Sequence, residues 1–183
     1  MNESVAQCRH LVSLADAMLA GLDDSHLALE PEPGAKTAGW LLGHLAITGD
    51  FARHLCGRPP ICPAEWRLAF RDGSEPSRDP STYPRMAELC AAFWGVYRDL
   101  PLAAANADAD ADAAAAKLAG PNPYAPVRGS FPLASDFVAY IISGHLGYHL
   151  GQLVAWRAAA GLGRLQRTRV SENTPEARQR SVS

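Results

Sequence analysis

The chain has 183 residues with 48% apolar and 20% charged side chains, the composition of one ordinary globular domain with room for a buried core. Its formal net charge of −2 gives no electrostatic reason to expect nucleic acid or an anionic membrane as a partner. The four cysteines are scattered, which predicts that there is no disulfide framework. The sequence shows no apolar run long enough to span a bilayer and no N-terminal targeting signal, so we expect a cytoplasmic protein.

The first predicted helix covers residues 4–22, where apolar side chains recur every three or four positions. The pair Asp23-Asp24 follows the last apolar residue of this pattern and indicates that the helix has ended. His10 and His26 fall outside the apolar stripe, so we expect both of them to have solvated surface roles.

A second helix is predicted over residues 38–56, because Thr37 is suited to cap its N-terminus and prolines follow its C-terminus. On this helix His44 points inward from a mostly apolar face, where it is either a functional ligand or a hydrogen-bonded core residue. His54 lies nearer the edge of that face. Its spacing of four residues from Asp50 predicts an exposed ion pair between the two.

The connection over residues 57–81 is long and rich in proline, arginine, aspartate and serine. Trp66 and Phe70 within it predict a packed loop or a short turn of helix, in which they act as pocket walls or as core residues. A third helix begins near Ser81 and carries apolar residues at helical spacing. Pro101 is predicted to end it.

Alanine and aspartate alternate over residues 106–112, which predicts a solvated turn leading into a short helix through Lys117. The fourth helix is predicted from about residue 132 to residue 160. Residues 164–183 are polar and lack periodicity, so we expect a mobile tail after a single domain of residues 1–163. The predicted fold is therefore all-α, an up-down four-helix bundle with a long loop between helices 2 and 3.

The fourth helix carries two histidines, His145 and His149, on one face, about 40° apart around the axis and about 6 Å apart along it. Their stripe is mostly apolar, and a buried polar group without a partner costs about 1–3 kcal/mol. Either a divalent metal or hydrogen bonds in the core would satisfy them, and their spacing alone does not decide. With His44 they supply three neutral nitrogen donors, and three protein ligands with an open position are typical of catalytic zinc sites.

Imidazole donors accept several divalent metals, of which we expect zinc or nickel, with iron and copper as alternatives. Two other metal motifs are excluded by the sequence. A zinc protease needs His-Glu-x-x-His, and Leu146 occupies the glutamate position here. A di-iron bundle needs Glu-x-x-His pairs, which the fourth helix lacks.

Residues 39–46 (Gly-Trp-Leu-Leu-Gly-His-Leu-Ala) and 144–153 (Gly-His-Leu-Gly-Tyr-His-Leu-Gly-Gln-Leu) resemble the second- and fourth-helix motifs of the DinB-like four-helix-bundle superfamily. The resemblance covers nearly all of residues 4–163. It implies frequent homodimers and a family whose characterised branches include metal-dependent transferases that use low-molecular-weight thiols. The histidines that it implies as ligands of one divalent metal ion are His44, His145 and His149.

The expected function is that of a divalent-metal-dependent enzyme acting on a small molecule. It is either a thiol S-transferase, in which the thiol attacks an electrophile held under the 57–81 loop, or a hydrolase. The alternative is a non-enzymatic, dimeric bundle that binds a metal or a ligand. Tyr148 and Gln152 are candidates for orienting the histidines, or for bundle packing. Relatives often have a polar or acidic residue at the position of Leu146. Leucine departs from that pattern, so we expect no acid/base role at this position.

Overall fold

The computed structural model describes residues 1–109 and 113–163, where the regular structure is helical apart from one isolated β-bridge between Pro121 and Leu133. A π-helical segment joins the last two α-helices, so residues 134–159 form the fourth long helix. The predicted all-α bundle is confirmed, and the long loop between its second and third long helices contains a short helix. The helices are α1 (Asn2–Leu19), α2 (Ala38–Leu55), α3 (Trp66–Phe70), α4 (Met86–Ala109), α5 (Ala113–Ala119), α6 (Ala134–Tyr140), the π-helical segment (Ile141–His145) and α7 (Leu146–Ala159).

The second helix, α2, lies at the centre of the packing. Both α1 and α2 pack against α4 and against the fourth long helix, so the four long helices enclose one apolar core. The predicted cap is present, because the Trp40 backbone N–H donates to Thr37 Oγ1 at 3.2 Å. Most residues of α2 are buried, and its inward face therefore carries His44 into the core.

The short helix α3 packs on α2 at a glycine. A Cβ atom added to Gly43 would lie 2.5 Å from the ring of Phe70, closer than any side chain tolerates. Only glycine therefore allows this ring to lie directly on the α2 backbone, where Phe70 is 2% exposed. The close approach also brings the carbonyl group of Phe70 to the neighbouring residue of α2, His44.

The third long helix differs from its predicted bounds. It begins at Met86, later than expected, and it continues through Pro101 to Ala109, so the prediction that this proline ends it was wrong. An internal proline removes one backbone hydrogen bond, but the buried apolar stripe continues beyond it with Ala103 and Ala107. Burial of these later turns keeps the chain helical.

The turn predicted over residues 106–112 was also wrong where it can be compared. Residues 106–109 belong to the end of α4, and residues 110–112 lie outside the described ranges. The short helix expected through Lys117 is present as α5.

Asp50 has a different role from the predicted exposed pair with His54, which was wrong. The Asp50 side chain is 5% exposed and accepts hydrogen bonds from the backbone N–H groups of Ile61 and Cys62, each at 3.0 Å. It also forms a buried ion pair with Arg53 at 2.8 Å, whereas His54 is exposed. Asp50 thus attaches the start of the long loop to α2.

The predicted tail, residues 164–183, lies outside the described ranges. Among the helices that are described, none combines the length and the apolar character needed to cross a membrane.

Candidate metal centre

Three histidines from distant parts of the chain meet at one point of the core. His44 lies on α2, His145 ends the π-helical segment and His149 lies in the first turn of α7. One ring nitrogen from each lies within 4.8 Å of the other two, and the three residues are only 3%, 8% and 8% exposed. The structure therefore brings together all three of the residues that the sequence indicated.

The π-helical segment sets the position of the first histidine on the fourth helix. It covers Ile141–His145, and regular α-helix resumes at Leu146. A π turn holds one more residue than an α turn, so it rotates the two parts of the helix relative to a continuous α-helix, and such turns are frequent at functional sites. The rings of His145 and His149 lie 4.5 Å apart between centroids. The apolar periodicity gave no indication of this segment.

The ring of His44 is held in one tautomer by the short helix α3. Its Nδ1 lies 2.7 Å from the carbonyl oxygen of Phe70, which only accepts hydrogen bonds, so Nδ1 carries the proton. The Trp40 ring stacks on the imidazole with a centroid distance of 4.7 Å. Nε2 of His44 is left with a lone pair, which faces Nε2 of His145 at a distance of 3.0 Å.

The ring of His149 is held in the same way by its own helix. Its Nδ1 lies 2.7 Å from Oε1 of Gln152, and Nε2 of that amide donates to the hydroxyl of Tyr148 at 3.1 Å. Because the amide nitrogen is used by the tyrosine, the amide oxygen accepts the Nδ1 proton. Gln152 and Tyr148 thus make the contacts expected of residues that orient a histidine, and they leave Nε2 of His149 with a lone pair.

Among the described residues, the ring of His145 has no hydrogen-bond partner outside the cluster. Its Nε2 lies 3.0 Å from Nε2 of His44, and its Nδ1 is buried without a hydrogen-bond partner among the described residues. Unpaired buried nitrogen atoms are rare in folded proteins. The two Nε2 atoms at this distance share either a proton or a cation, and three neutral imidazoles in one small space are a donor set that borderline divalent cations accept. The residues present therefore fit a metal ion.

The charge state of the cluster also favours a cation. Burial lowers the pKa of His145 to about 3 and that of His149 to about 4, and the neighbouring imidazoles oppose their protonation further. Burial likewise lowers the pKa of His44, although the Phe70 carbonyl group opposes that change. All three rings are therefore neutral at pH 7, which is the form that ligates metals.

A cavity of about 710 Å³ opens above the cluster, and the three histidines form part of its lining. This volume lies within the usual range for small-molecule sites. Trp66 and Phe70, expected as pocket walls or as core residues, do not line the cavity. Phe70 is in the core, and Trp66 is half-buried next to Phe70. The loop contributes Arg67, Arg71 and Asp72 instead.

The polar lining residues that the sequence analysis did not predict are charged, or lie in the connection between α5 and α6. They lack helical periodicity with the histidines, so no spacing pattern links them to the site. Two arginines four residues apart were the one available signal. The missed polar lining residues are Lys36, Arg67, Arg71, Asp72 and Tyr124.

The fold and the site together define a class of protein, an all-α bundle with a buried cluster of three histidines at the base of a cavity. The family model of the DinB superfamily matches residues 8–153, and the chain belongs to this superfamily. No curated protein and no solved structure shows a significant match to the chain.

Proposed function

We propose that the protein is a divalent-metal-dependent enzyme in which His44, His145 and His149 are the ligands. The observation that carries the proposal is the convergence of three buried, neutral imidazoles within 4.8 Å at the base of a cavity. Three ligands leave a coordination position free for water or substrate, as in catalytic zinc sites. Zinc or nickel suits an all-imidazole set, and iron is the alternative.

The chain's own residues prepare this site for chemistry. The Phe70 carbonyl group and Gln152 Oε1 hold the Nδ1 protons of His44 and His149, so that both Nε2 lone pairs stay directed at the ligand position. A divalent ion bound there would lower the pKa of a coordinated water or thiol. Leu146 is fully buried in the core and supplies no acid or base, whereas the Asp72 carboxylate lines the cavity.

Metal content tests the ligand assignment directly. We expect one divalent ion per chain in protein purified without a histidine tag or a chelating column. His44→Ala, His145→Ala or His149→Ala should lower this occupancy sharply, while His10→Ala and His26→Ala, which lie outside the cluster, should not. Equal occupancy in all five variants would contradict the assignment.

The particular reaction that we propose is transfer of a low-molecular-weight thiol to an electrophile. Three neutral ligands leave the double charge of the ion uncompensated, which favours an anionic fourth ligand such as a thiolate. Glutathione, mycothiol and bacillithiol should be assayed with chloro-nitroaromatics and epoxides, comparing metal-loaded wild type with His149→Ala. Turnover absent with every thiol, or unchanged in the variant, would favour the hydrolase or the non-enzymatic ligand-binding bundle.

Two further proposals concern the oligomeric state of the protein and its location in the cell. We expect a homodimer, as the resemblance to the superfamily implies, and sedimentation as a monomer across micromolar concentrations would contradict it. We also expect a cytoplasmic location, which fractionation of cells producing the protein with its natural sequence would test.

A further inference from the structure

The mouth of the cavity carries an excess of positive charge. Arg67 lies in α3 and Arg71 directly follows that helix, and both are exposed on the lining of the cavity. Lys36 lines the same cavity, with its ammonium group 4.5 Å from the centre of the Trp40 ring. The lining of the cavity thus carries three cations, although the net charge of the chain is −2.

Among the residues that the structure describes, no carboxylate neutralises the two arginines. Over residues 1–109 and 113–163, neither Arg67 nor Arg71 forms an ion pair or a side-chain hydrogen bond, whereas Lys36 pairs with Glu75 at 3.2 Å. Among the described residues of the lining, the one carboxylate is that of Asp72, and it accepts a hydrogen bond from the hydroxyl of Tyr124 at 3.2 Å. Arginines that do pair with carboxylates are Arg53, Arg58, Arg78 and Arg85.

The other walls of the cavity are apolar, and half of their residues are aromatic. Phe137 and Ile141 are 5% and 2% exposed, so their side chains are fixed by packing rather than free to move aside. Flat apolar groups pack well against such walls. The wall residues are Ile47, Phe51, Val127, Phe137, Tyr140 and Ile141.

We propose that the cavity binds a small organic anion with a flat apolar body. Its carboxylate or similar anionic group is held by Arg67 and Arg71 at the mouth, and its body lies between the aromatic walls. Arginine forks suit such groups because they form paired, charge-assisted hydrogen bonds. The histidine cluster lines the same cavity, so a reaction of the bound anion there would depend on the proposed function, but binding of the anion does not.

A pair of probes that differ only in charge tests the proposal. Calorimetric titration of the metal-free, chelator-treated protein should show that 2-naphthoate binds at least tenfold more tightly than 2-naphthamide. The preference should fall with added salt, because the arginines are exposed. Equal affinity for the two probes, or no binding of either, would overturn the proposal.

Variants locate the recognition on the mouth of the cavity. The double variant Arg67→Gln/Arg71→Gln should lose most of the preference for 2-naphthoate. Arg9→Gln/Arg98→Gln, which removes the same charge from exposed positions of α1 and α4, should retain it. A preference that survives the first double variant, or disappears in the second, would contradict the assignment.

A variant with the opposite expected effect guards against loss of folding as an explanation. Asp72→Asn removes the negative charge of the lining and keeps an acceptor for the Tyr124 hydroxyl group, so 2-naphthoate should bind more tightly and 2-naphthamide should not. Weaker binding of 2-naphthoate would contradict the proposal. Because these measurements use metal-free protein, failure to bind metal overturns the proposed function without affecting the result.

Discussion

At the scale of single residues, the three histidines behave differently from histidines in water. Each ring in the cluster has a pKa below the ordinary value of 6.5, chiefly because burial disfavours the charged form. The hydrogen-bond acceptors of the cluster are a backbone carbonyl and an amide oxygen, and neither is a full negative charge. The fold therefore keeps three bases neutral without balancing them by acids.

This arrangement predicts that the metal-free protein loses stability on acidification. The unfolded chain binds protons near pH 6.5, whereas folding lowers the pKa of His145 to about 3 and that of His149 to about 4. Stability should thus fall as pH drops below about 6.5, by about 1.4 kcal/mol per pH unit for each histidine involved. Above that pH both states are neutral and the histidines have no effect.

Urea unfolding of chelator-treated protein at pH 7.5, 6.5 and 5.5 measures this loss. His145→Phe removes one titrating ring and should give a shallower dependence on pH, while His10→Ala should match the wild type. A wild-type free energy of unfolding that does not change between pH 6.5 and 5.5 would show that the cluster titrates normally.

A second prediction at this scale concerns the glycine under the Phe70 ring. Gly43→Ala places a methyl group 2.5 Å from that ring, so Phe70 has to move, and its carbonyl group moves away from His44. We expect a loss of about 1–3 kcal/mol in the free energy of unfolding, as for other overpacked cores. Denaturant unfolding measures the loss.

Gly151→Ala is the matched control, because Gly151 is also helical and a Cβ atom there would meet nothing within 4 Å. Alanine favours helix over glycine by up to about 1 kcal/mol, so this variant should be as stable as the wild type or more stable. If both variants behaved alike, close packing at Gly43 would not be the cause.

At the scale of elements, the long loop is positioned by the second helix. Asp50 joins the backbone of the loop to α2, and its partner Arg53 also binds Asp99 of α4 at 2.8 Å. Three elements therefore share one buried ionic network. The loop held in this way includes α3, and it supplies both the Phe70 carbonyl group and the two arginines of the cavity mouth.

Removal of the Asp50 carboxylate should accordingly destabilise the fold and loosen the loop. Asp50→Ala leaves two backbone N–H groups without acceptors and Arg53 without one of its partners, and breaking such buried pairs costs about 3–5 kcal/mol. Denaturant unfolding measures the loss, and hydrogen exchange should show faster exchange at Ile61 and Cys62. Glu75→Ala, which removes an exposed ion pair, should change neither measurement. Unchanged exchange at the two amides would contradict the assigned role.

Some of these elements could be predicted from local sequence signals, and others could not. Thr37 and the regular apolar stripe of α2 are local signals, and they predicted the inward direction of His44 correctly. The helix beyond Pro101 depends on burial against other helices, and the π-helical segment before His145 depends on packing that no spacing rule records. The same reason explains why Asp50 was assigned to a neighbour on its own helix, since its real partners are backbone groups of a folded loop.

At the scale of the whole molecule, the histidine cluster is a link between parts of the chain that are far apart in sequence. His44 and His145 are 101 residues apart, and their rings are in contact only when α2 and the fourth helix are packed together. The unfolded chain does not hold such a preformed site. A metal ion bound by the cluster therefore stabilises the folded state, and only that state, by mass action.

Thermal unfolding should report this coupling. At a free zinc or nickel concentration about 100 times the dissociation constant, the stabilisation is about 2.7 kcal/mol. For a chain of this length that corresponds to a rise in the midpoint of unfolding of about 5–10 °C. The rise is measured for each protein from its own metal-free midpoint of unfolding. It should be preserved in His10→Ala and lost in His149→Ala. An equal rise in His149→Ala would mean that the ion binds elsewhere, because a site that has lost one of its three ligands should bind the ion more weakly and stabilise the bundle less.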